Sequence, residues 1–564
     1  MIKKILICLL FITQTLYSAG QSKLNYTNPI LAGFYPDPSI CRVGDDYYLV
    51  NSSFAYFPGL PLFHSKDLVN WKQIGHAMNR ESQLDLHGAG VSRGLFAPTI
   101  RYDNGTFYIV CTLIDKKGNF VITAKDPKGP WSDPVWLGVD GIDPSLYFDD
   151  DKAYLLYNSI PPDNKSLYDG HRTIRMKEFD KKNLKLIGEE KILINGGTDI
   201  SKKPVWIEGP HILKKDGWYY LLCAEGGTGY NHSEVVFRSK AVEGPYISYE
   251  HNPILTQRQL DPKRKDPVTT TGHADLVEMK NGKWYAVFLG CRPYETDHYN
   301  TGRETFMAPV EWKDGWPIIN PGFETVQYKY PVPDRVITKR VENKFSGNYT
   351  FRDEFDQREL NDRWVFLRSP GQSWYDLLDK KSALTMDLLP QTCAGKENPA
   401  FVGFRQPHLK GTAAASLNFL AQAENEKAGL LIFQNETHFY YLCQSVENAK
   451  QVVQLYRPIP GEKNEKMELL ASKELSNPER SLQLKVAANN STYSFYYSMY
   501  PGPWILLADK IDAKFLSTKT AGGFVGTMYG LYATSLGNPS SSKAYFSWFE
   551  CRNDDSVFKT GKIH

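Results

Sequence analysis

The sequence predicts an all-β protein, a five-bladed β-propeller followed by a β-sandwich, and three observations carry that expectation. First, one local frame recurs five times: Asp37-Pro-Ser-Ile40, Ala97-Pro-Thr-Ile100, Asp143-Pro-Ser-Leu146, Gly209-Pro-His-Ile212 and His273-Ala-Asp-Leu276. Eight positions after each apolar anchor stands an aromatic, namely Tyr48, Tyr108, Tyr154, Tyr220 and Trp284. Second, polar turn formers lie between anchor and aromatic, from Gly44-Asp45 and Asn104-Gly105 through Asp149-Asp150 and Asp216-Gly217 to Asn281-Gly282, as hairpin connections require. Third, the second half alternates with a period of two between turn residues, and no long amphipathic helix pattern interrupts it.

The repeat continues past the first hairpin of each unit. Ser65-Lys66-Asp67 leads to Trp71, Ala124-Lys125-Asp126 to Trp131, and Ser239-Lys240-Ala241 to Tyr246. Units of several short strands in tandem are the mark of a radially repeated sheet. The innermost strand of every blade starts near the axis of such a fold, so Asp37, Asp143, Glu208 and His273 are expected to converge on one central pocket.

With 564 residues the chain is too long for one core and predicts two domains. Lys3 and Lys4 precede an apolar run from Ile5 to Ile12, and Ser18-Ala19-Gly20 offers small residues for cleavage, so residues 1–20 are expected to be a secretory signal peptide and the protein to be exported. Cys8 lies inside the apolar run rather than after it, which argues against a lipid anchor, and no later segment is apolar enough to span a bilayer. Residues 24–327 are assigned to the propeller. Residues 328–345, with Tyr-Pro-Val-Pro-Asp ending at Asp334, are assigned to a linker, and residues 346–564 to the sandwich. In the sandwich, strands are expected at Ala428 to Phe433, His438 to Gln444, Gln451 to Tyr456, Ser481 to Ala487, Thr492 to Ser498 and Ala544 to Cys551.

The formal net charge of +3 implies no polyanionic partner, so no nucleic acid, and nothing in the sequence sets an oligomeric state. Seven cysteines remain once Cys8 is set aside, an odd set without a close Cys-x-x-Cys pair. Cys111 and Cys223 each fall three residues after their blade's aromatic, which suits buried small apolar residues better than metal ligands or disulfides. The chemistry therefore rests on carboxylates. Several acids facing one cavity, without a Ser-His pair or a phosphate-binding glycine loop, point to glycoside hydrolysis, in which one carboxyl is protonated while another is ionised. Glu208, between turn formers in Pro204 to Ile212, is the expected general acid; Asp143 is placed to raise its pKa by like-charge repulsion. Asp37 is the expected base for the attacking water.

Asn28-Pro-Ile-Leu-Ala-Gly-Phe-Tyr-Pro-Asp-Pro-Ser39, Phe57-Pro-Gly59, His64-Ser-Lys-Asp-Leu-Val-Asn-Trp71, Gly141-Ile-Asp-Pro-Ser145, Trp206-Ile-Glu-Gly-Pro-His211, Ala224-Glu-Gly-Gly-Thr228 and Gly302-Arg-Glu-Thr-Phe306 together resemble glycoside hydrolase family 43, in the branch of β-xylosidases and α-L-arabinofuranosidases. The resemblance covers both halves, the second being similar to the concanavalin A-like sandwich of those β-xylosidases, with Gly522-Gly-Phe-Val-Gly-Thr527 near its end. It implies an inverting exo-enzyme acting on pentose-containing oligo- or polysaccharides, with Asp37 as base, Asp143 as pKa modulator and Glu208 as acid. It also implies that Arg303 meets sugar hydroxyls, that Phe54 walls the pocket, that Phe524 reaches in from the sandwich, and that His273 either coordinates calcium through water or holds the modulator; no other cofactor is implied. One departure is visible, Phe96-Ala-Pro-Thr99 where relatives often carry Trp-Ala-Pro-Asp. β-D-xylose from xylo-oligosaccharides or xylan is the first expectation for the sugar, and α-L-arabinofuranose from arabinoxylan or arabinan, alone or in addition, is the alternative. A propeller that binds carbohydrate without catalysis is the alternative of another class, and a sialidase is disfavoured because its Ser-x-Asp-x-Gly-x-Thr-Trp repeat is absent.

Overall fold

The computed structural model describes residues 24–333, 344–459 and 466–559. The expected signal peptide, Cys8 included, lies outside the described residues, as do residues 334–343 of the expected linker.

Each of the five recurring frames opens the first strand of an antiparallel blade. Blade 1 is built from Ser39–Val43, Asp46–Val50, Gly59–Ser65 and Lys72–Met78, and blade 2 from Thr99–Asp103, Thr106–Leu113, Gly118–Ala124 and Val135–Trp136. Blade 3 runs through Ile142–Asp149, Lys152–Ser159, Thr173–Asp180 and Lys185–Asn195, and blade 4 through Glu208–Lys215, Trp218–Glu225, Ser233–Ser239 and Ile247–Ser248. Blade 5 comprises Thr269–Glu278, Trp284–Cys291, Glu304–Lys313 and Trp316–Ile319. The register follows the sequence frame: Ile40 faces Leu49, Ile100 faces Ile109, Leu146 faces Leu155 and Ile212 faces Leu221.

The ring is tied where it begins and ends. Asn25–Thr27 pairs with Lys329–Pro331, and the side chain of Asn28 donates to the Met307 and Gln327 carbonyls while accepting from the Met307 N–H. The start of the segment assigned to a linker is therefore a strand. The reason is burial: Tyr330 is 1% exposed and stacks on Tyr26 at 5.6 Å. Phe345, assigned to the same linker, is likewise buried, edge-on to Tyr35 and Phe63 of the propeller.

The second half is a sandwich of two antiparallel sheets, and all six segments singled out by their alternation fall on strands of it. One sheet is centred on Lys410–Asn418 and Lys543–Asn553, the other on Lys427–Asn435 and Met528–Thr534. Its inner faces read as alternating buried positions, as in Leu482, Leu484 and Val486. One strand of the second sheet is borrowed: Tyr56–Phe57, from the middle of blade 1, pairs with Val365–Leu367 at its edge. The apolar core runs on across this seam, joining Leu60, Leu84 and Leu95 to Phe366, Trp374 and Leu430. The seven described cysteines are all free and buried, in keeping with small apolar packing.

Candidate active site

The same backbone device places a residue on the axis in four of the five blades. Three positions before the apolar anchor, Asp37, Asp143, Gly209 and His273 have φ of 51°, 53°, 55° and 53°. Left-handed backbone costs on the order of 1 kcal/mol at a residue other than glycine. In blades 3, 4 and 5 the pairing register slips just there, between Ile142 and Ser145, Glu208 and His211, and Gly272 and Asp275. Such bulges turn a side chain out of the sheet face and toward the sheet's end. In blade 4 the left-handed position is taken by a glycine, and a Cβ on Gly209 would stand 2.7 Å from His273 Nε2. Glu208 thus projects from one residue earlier than Asp37 and Asp143 do, rather than from the matching position.

The four residues expected at the axis meet, and those that the resemblance implied join them. Asp37, Asp143, Glu208, His273, Arg303, Phe54 and Phe524 all line one cavity of about 330 Å³, together with Phe96, Trp206 and Thr228. The volume lies at the lower end of the ~300–1,000 Å³ typical of small-molecule sites. Asp37, Asp143 and Glu208 are 4%, 6% and 6% exposed. Ser52 Oγ donates to Asp37 Oδ2, and Arg303 Nη1 donates to Oδ1 at 2.7 Å. Asp143, Glu208 and His273 bring one donor atom each within 4.8 Å of one another.

The electrostatics separate these acids. Burial first, and then the negative charge of Asp37, push the Glu208 carboxyl up to about 7. Asp143 is raised well above the usual carboxylate range by burial, then by the charges of Glu208 and Asp37. The sequence expectation made Asp143 the source of the shift at Glu208; burial and Asp37 raise Glu208 instead, and the repulsion between Glu208 and Asp143 falls on Asp143. Burial and mutual repulsion together oppose ionising these two neighbouring carboxyls at once. His273, with Nδ1 3.9 Å from Asp37 Oδ1, is held neutral chiefly by burial. Calcium takes six to eight oxygen ligands. This cluster offers two carboxyls and one imidazole, fewer oxygen ligands than calcium takes, so the residues do not fit calcium and no step is routed through a metal.

The wall is aromatic and comes from both domains. Phe524 stacks on Phe54 at 6.0 Å, Phe96 meets both rings edge-on, and the Phe524 N–H donates to Ser92 Oγ at 2.9 Å. The Arg303 guanidinium lies 5.9 Å from the Phe54 ring centroid and 5.7 Å from that of Phe524. It reaches Asp37 with Nη1, while its Nε is buried without a protein partner. Phe96, where the family often has tryptophan, is part of this wall. On another side, Arg172 stacks on the Trp206 ring at 3.7 Å. Arg172 and His232 went unmarked in the sequence reading. Arg172 lies outside the repeating frame; His232 follows a glycine-rich turn, and only a histidine beside a strand could have flagged it.

A family model described as glycosyl hydrolases family 43 matches residues 26–317, and one described as the beta xylosidase C-terminal concanavalin A-like domain matches residues 352–552. The chain is 43% identical to a xylosidase/arabinosidase of Butyrivibrio fibrisolvens, over 93% of this chain and 98% of that protein. It is 38% identical to a non-reducing end alpha-L-arabinofuranosidase of Bacteroides ovatus, over 93% and 94%. Among solved structures it is similar to a GH43_12 retrieved from a capybara gut metagenome, with TM-score 0.85 and 42% identity over 92% of this chain and 96% of that one. A xylan beta-1,4-xylosidase from Bacillus halodurans aligns with TM-score 0.83 and 32% identity, over 94% and 100%.

Proposed function

The chain belongs to family 43 of the glycosyl hydrolases, and from that premise we propose that it is an exo-acting enzyme removing single terminal pentoses, β-D-xylose and α-L-arabinofuranose, with inversion at the anomeric carbon. The observation that supports this most directly is the small cavity in which buried acids lie beneath a wall completed by Phe524 of the second domain. Such a cavity suits one terminal sugar better than the interior of a polymer. Both sugars are included because relatives at 43% and 38% identity carry both names.

Glu208 gives its proton to the glycosidic oxygen as the bond to the anomeric carbon breaks. Asp37 takes a proton from a water whose oxygen attacks that carbon from the opposite face. Arg303 holds Asp37 in place and turns its remaining N–H groups to adjacent hydroxyls of the sugar. Asp143 shares the proton of Glu208 and keeps that acid loaded near neutral pH. Export rests on the basic and apolar N-terminus and belongs to the same proposal.

The deciding assay pairs nitrophenyl β-D-xyloside and nitrophenyl α-L-arabinofuranoside with xylo-oligosaccharides, and follows the first-formed sugar by proton NMR. Release of inverted single pentoses is expected. Retained configuration would sink the single-displacement reading, and mainly long oligomers would sink the exo reading.

A further inference from the structure

His232 stands at the start of the third strand of blade 4, beside Glu208 and outside every motif used above. It is 1% exposed. Its Nδ1 lies 3.4 Å from the Thr270 carbonyl oxygen, and its Nε2 has no hydrogen-bond partner and stands 3.9 Å from Glu208 Oε1. The ring fits there because residue 272 is glycine, where a Cβ would come within 2.8 Å of Nδ1.

A carbonyl oxygen only accepts, so the hydrogen of a neutral His232 sits on Nδ1 and the lone pair on Nε2 faces Glu208. Burial first, and then the neighbouring His273 and Arg303, hold His232 down at about 3, so the ring is neutral near neutral pH. A lone pair is served by one state of Glu208 alone. The protonated carboxyl can donate to it after a small turn of its terminal torsion, which is soft; the carboxylate would set negative charge against an acceptor. Stabilising the neutral form of an acid in this way favours proton retention.

We propose that His232 is a positioning residue that keeps the catalytic proton on Glu208, by accepting a hydrogen bond at Nε2 from the protonated carboxyl. The inference deepens the proposed function and rests on Glu208 being the acid. The other charged or titratable groups around this pair are Asp37 from blade 1, Asp143 and Arg172 from blade 3, and His273 and Arg303 from blade 5. Those groups bear on Glu208 by charge, whereas His232 bears on it through a direction.

The test uses the full chain with His232→Phe, which keeps a planar ring and removes the acceptor, and His232→Leu as a second variant should the first not fold. The carbonyl stretch of protonated Glu208, identified by its loss in Glu208→Gln, is titrated by difference infrared spectroscopy. In His232→Phe this band is expected to disappear about one pH unit lower, and the alkaline limb of kcat/KM to move with it. The loss at pH 8 is then about tenfold on xylobiose and smaller on a nitrophenyl glycoside, whose leaving group needs little protonation. A band and limb that stay in place, with equal losses on both substrates at every pH, would overturn the proposal and leave His232 a packing residue. If the parent chain hydrolysed neither pentoside, the functional reading would fail, and the band titration would still decide what His232 does to Glu208.

Discussion

Replacing Glu208 by glutamine should make the protein less active and, above neutral pH, more stable. The carboxyl is lifted from 4.5 to about 7 in the folded state. At ~1.4 kcal/mol per pH unit, that lift corresponds to about 3 kcal/mol of linkage. Below pH 4.5 both the folded and the unfolded chain hold a neutral acid, and this contribution to stability is fully present. Between 4.5 and about 7 the unfolded chain gives up its proton to water while the folded one keeps it, so the contribution falls as pH rises and is gone once pH passes through about 7. Glutamine cannot ionise and escapes that loss. Thermal unfolding of the two proteins should therefore give similar midpoints at pH 4.5 and a variant higher by about 6 °C at pH 8, at ~2 °C per kcal/mol for a domain of this size. Turnover of xylo-oligosaccharides should fall by roughly 10²- to 10⁴-fold, and that of a nitrophenyl glycoside far less. A stabilisation of the same size at both pH values, or a loss at pH 8, would refute the assignment of a raised carboxyl to Glu208.

With Asp37 as the proposed base, Asp37→Asn leaves the attacking water unactivated, so rates on natural and aryl substrates should fall together, by roughly 10²- to 10⁴-fold in steady-state assays; leaving-group dependence at this position would show the two roles reversed. Asp143→Asn leaves only one ionisation where the pair had two and removes one like charge beside Glu208 while Asp37 keeps the other, so the alkaline limb of the pH–rate profile should move down. Phe524→Ala removes the ring stacked on Phe54 and beside Arg303. It should cost about tenfold in kcat/KM, at ~1 kcal/mol for a lost aromatic contact plus burial, mostly as KM. An unchanged KM would place Phe524 outside the sugar pocket.

The blade frame could be seen in the sequence because it is local: anchor, turn and aromatic lie within one hairpin, and hairpin chemistry is written in adjacent residues. The convergence of Asp37, Asp143 and His273 followed from that frame, since a ring of like units puts like positions at its centre. Glu208 is one residue out of frame because Gly209 has to pass His273, a contact between blades 4 and 5 that no local pattern carries. The strand at Tyr56–Phe57 was invisible for the same reason, as its partner Val365–Leu367 lies in the other domain. Lys329–Pro331 looked like a linker because Pro331, with Pro333 just beyond, suppresses strand propensity, yet an edge strand tolerates it. The order of the charges at Glu208 depends on burial and distance, which residue types alone do not state. His232 has no periodic neighbour to mark it.

The two-residue strand that blade 1 lends to the sandwich sets a clock on the maturing enzyme. Phe57 waits for Phe366, its pairing partner, and at ~5–20 residues per second the ribosome delivers that partner about 15–60 s later. Until then Phe54, three residues upstream, lacks the domain that steadies its loop, and Phe524 arrives later still. A nascent propeller can close its ring of blades, but its sugar pocket is left half-walled. A chain cut short at the domain boundary would carry every acid of the site and yet lack one side of the cavity.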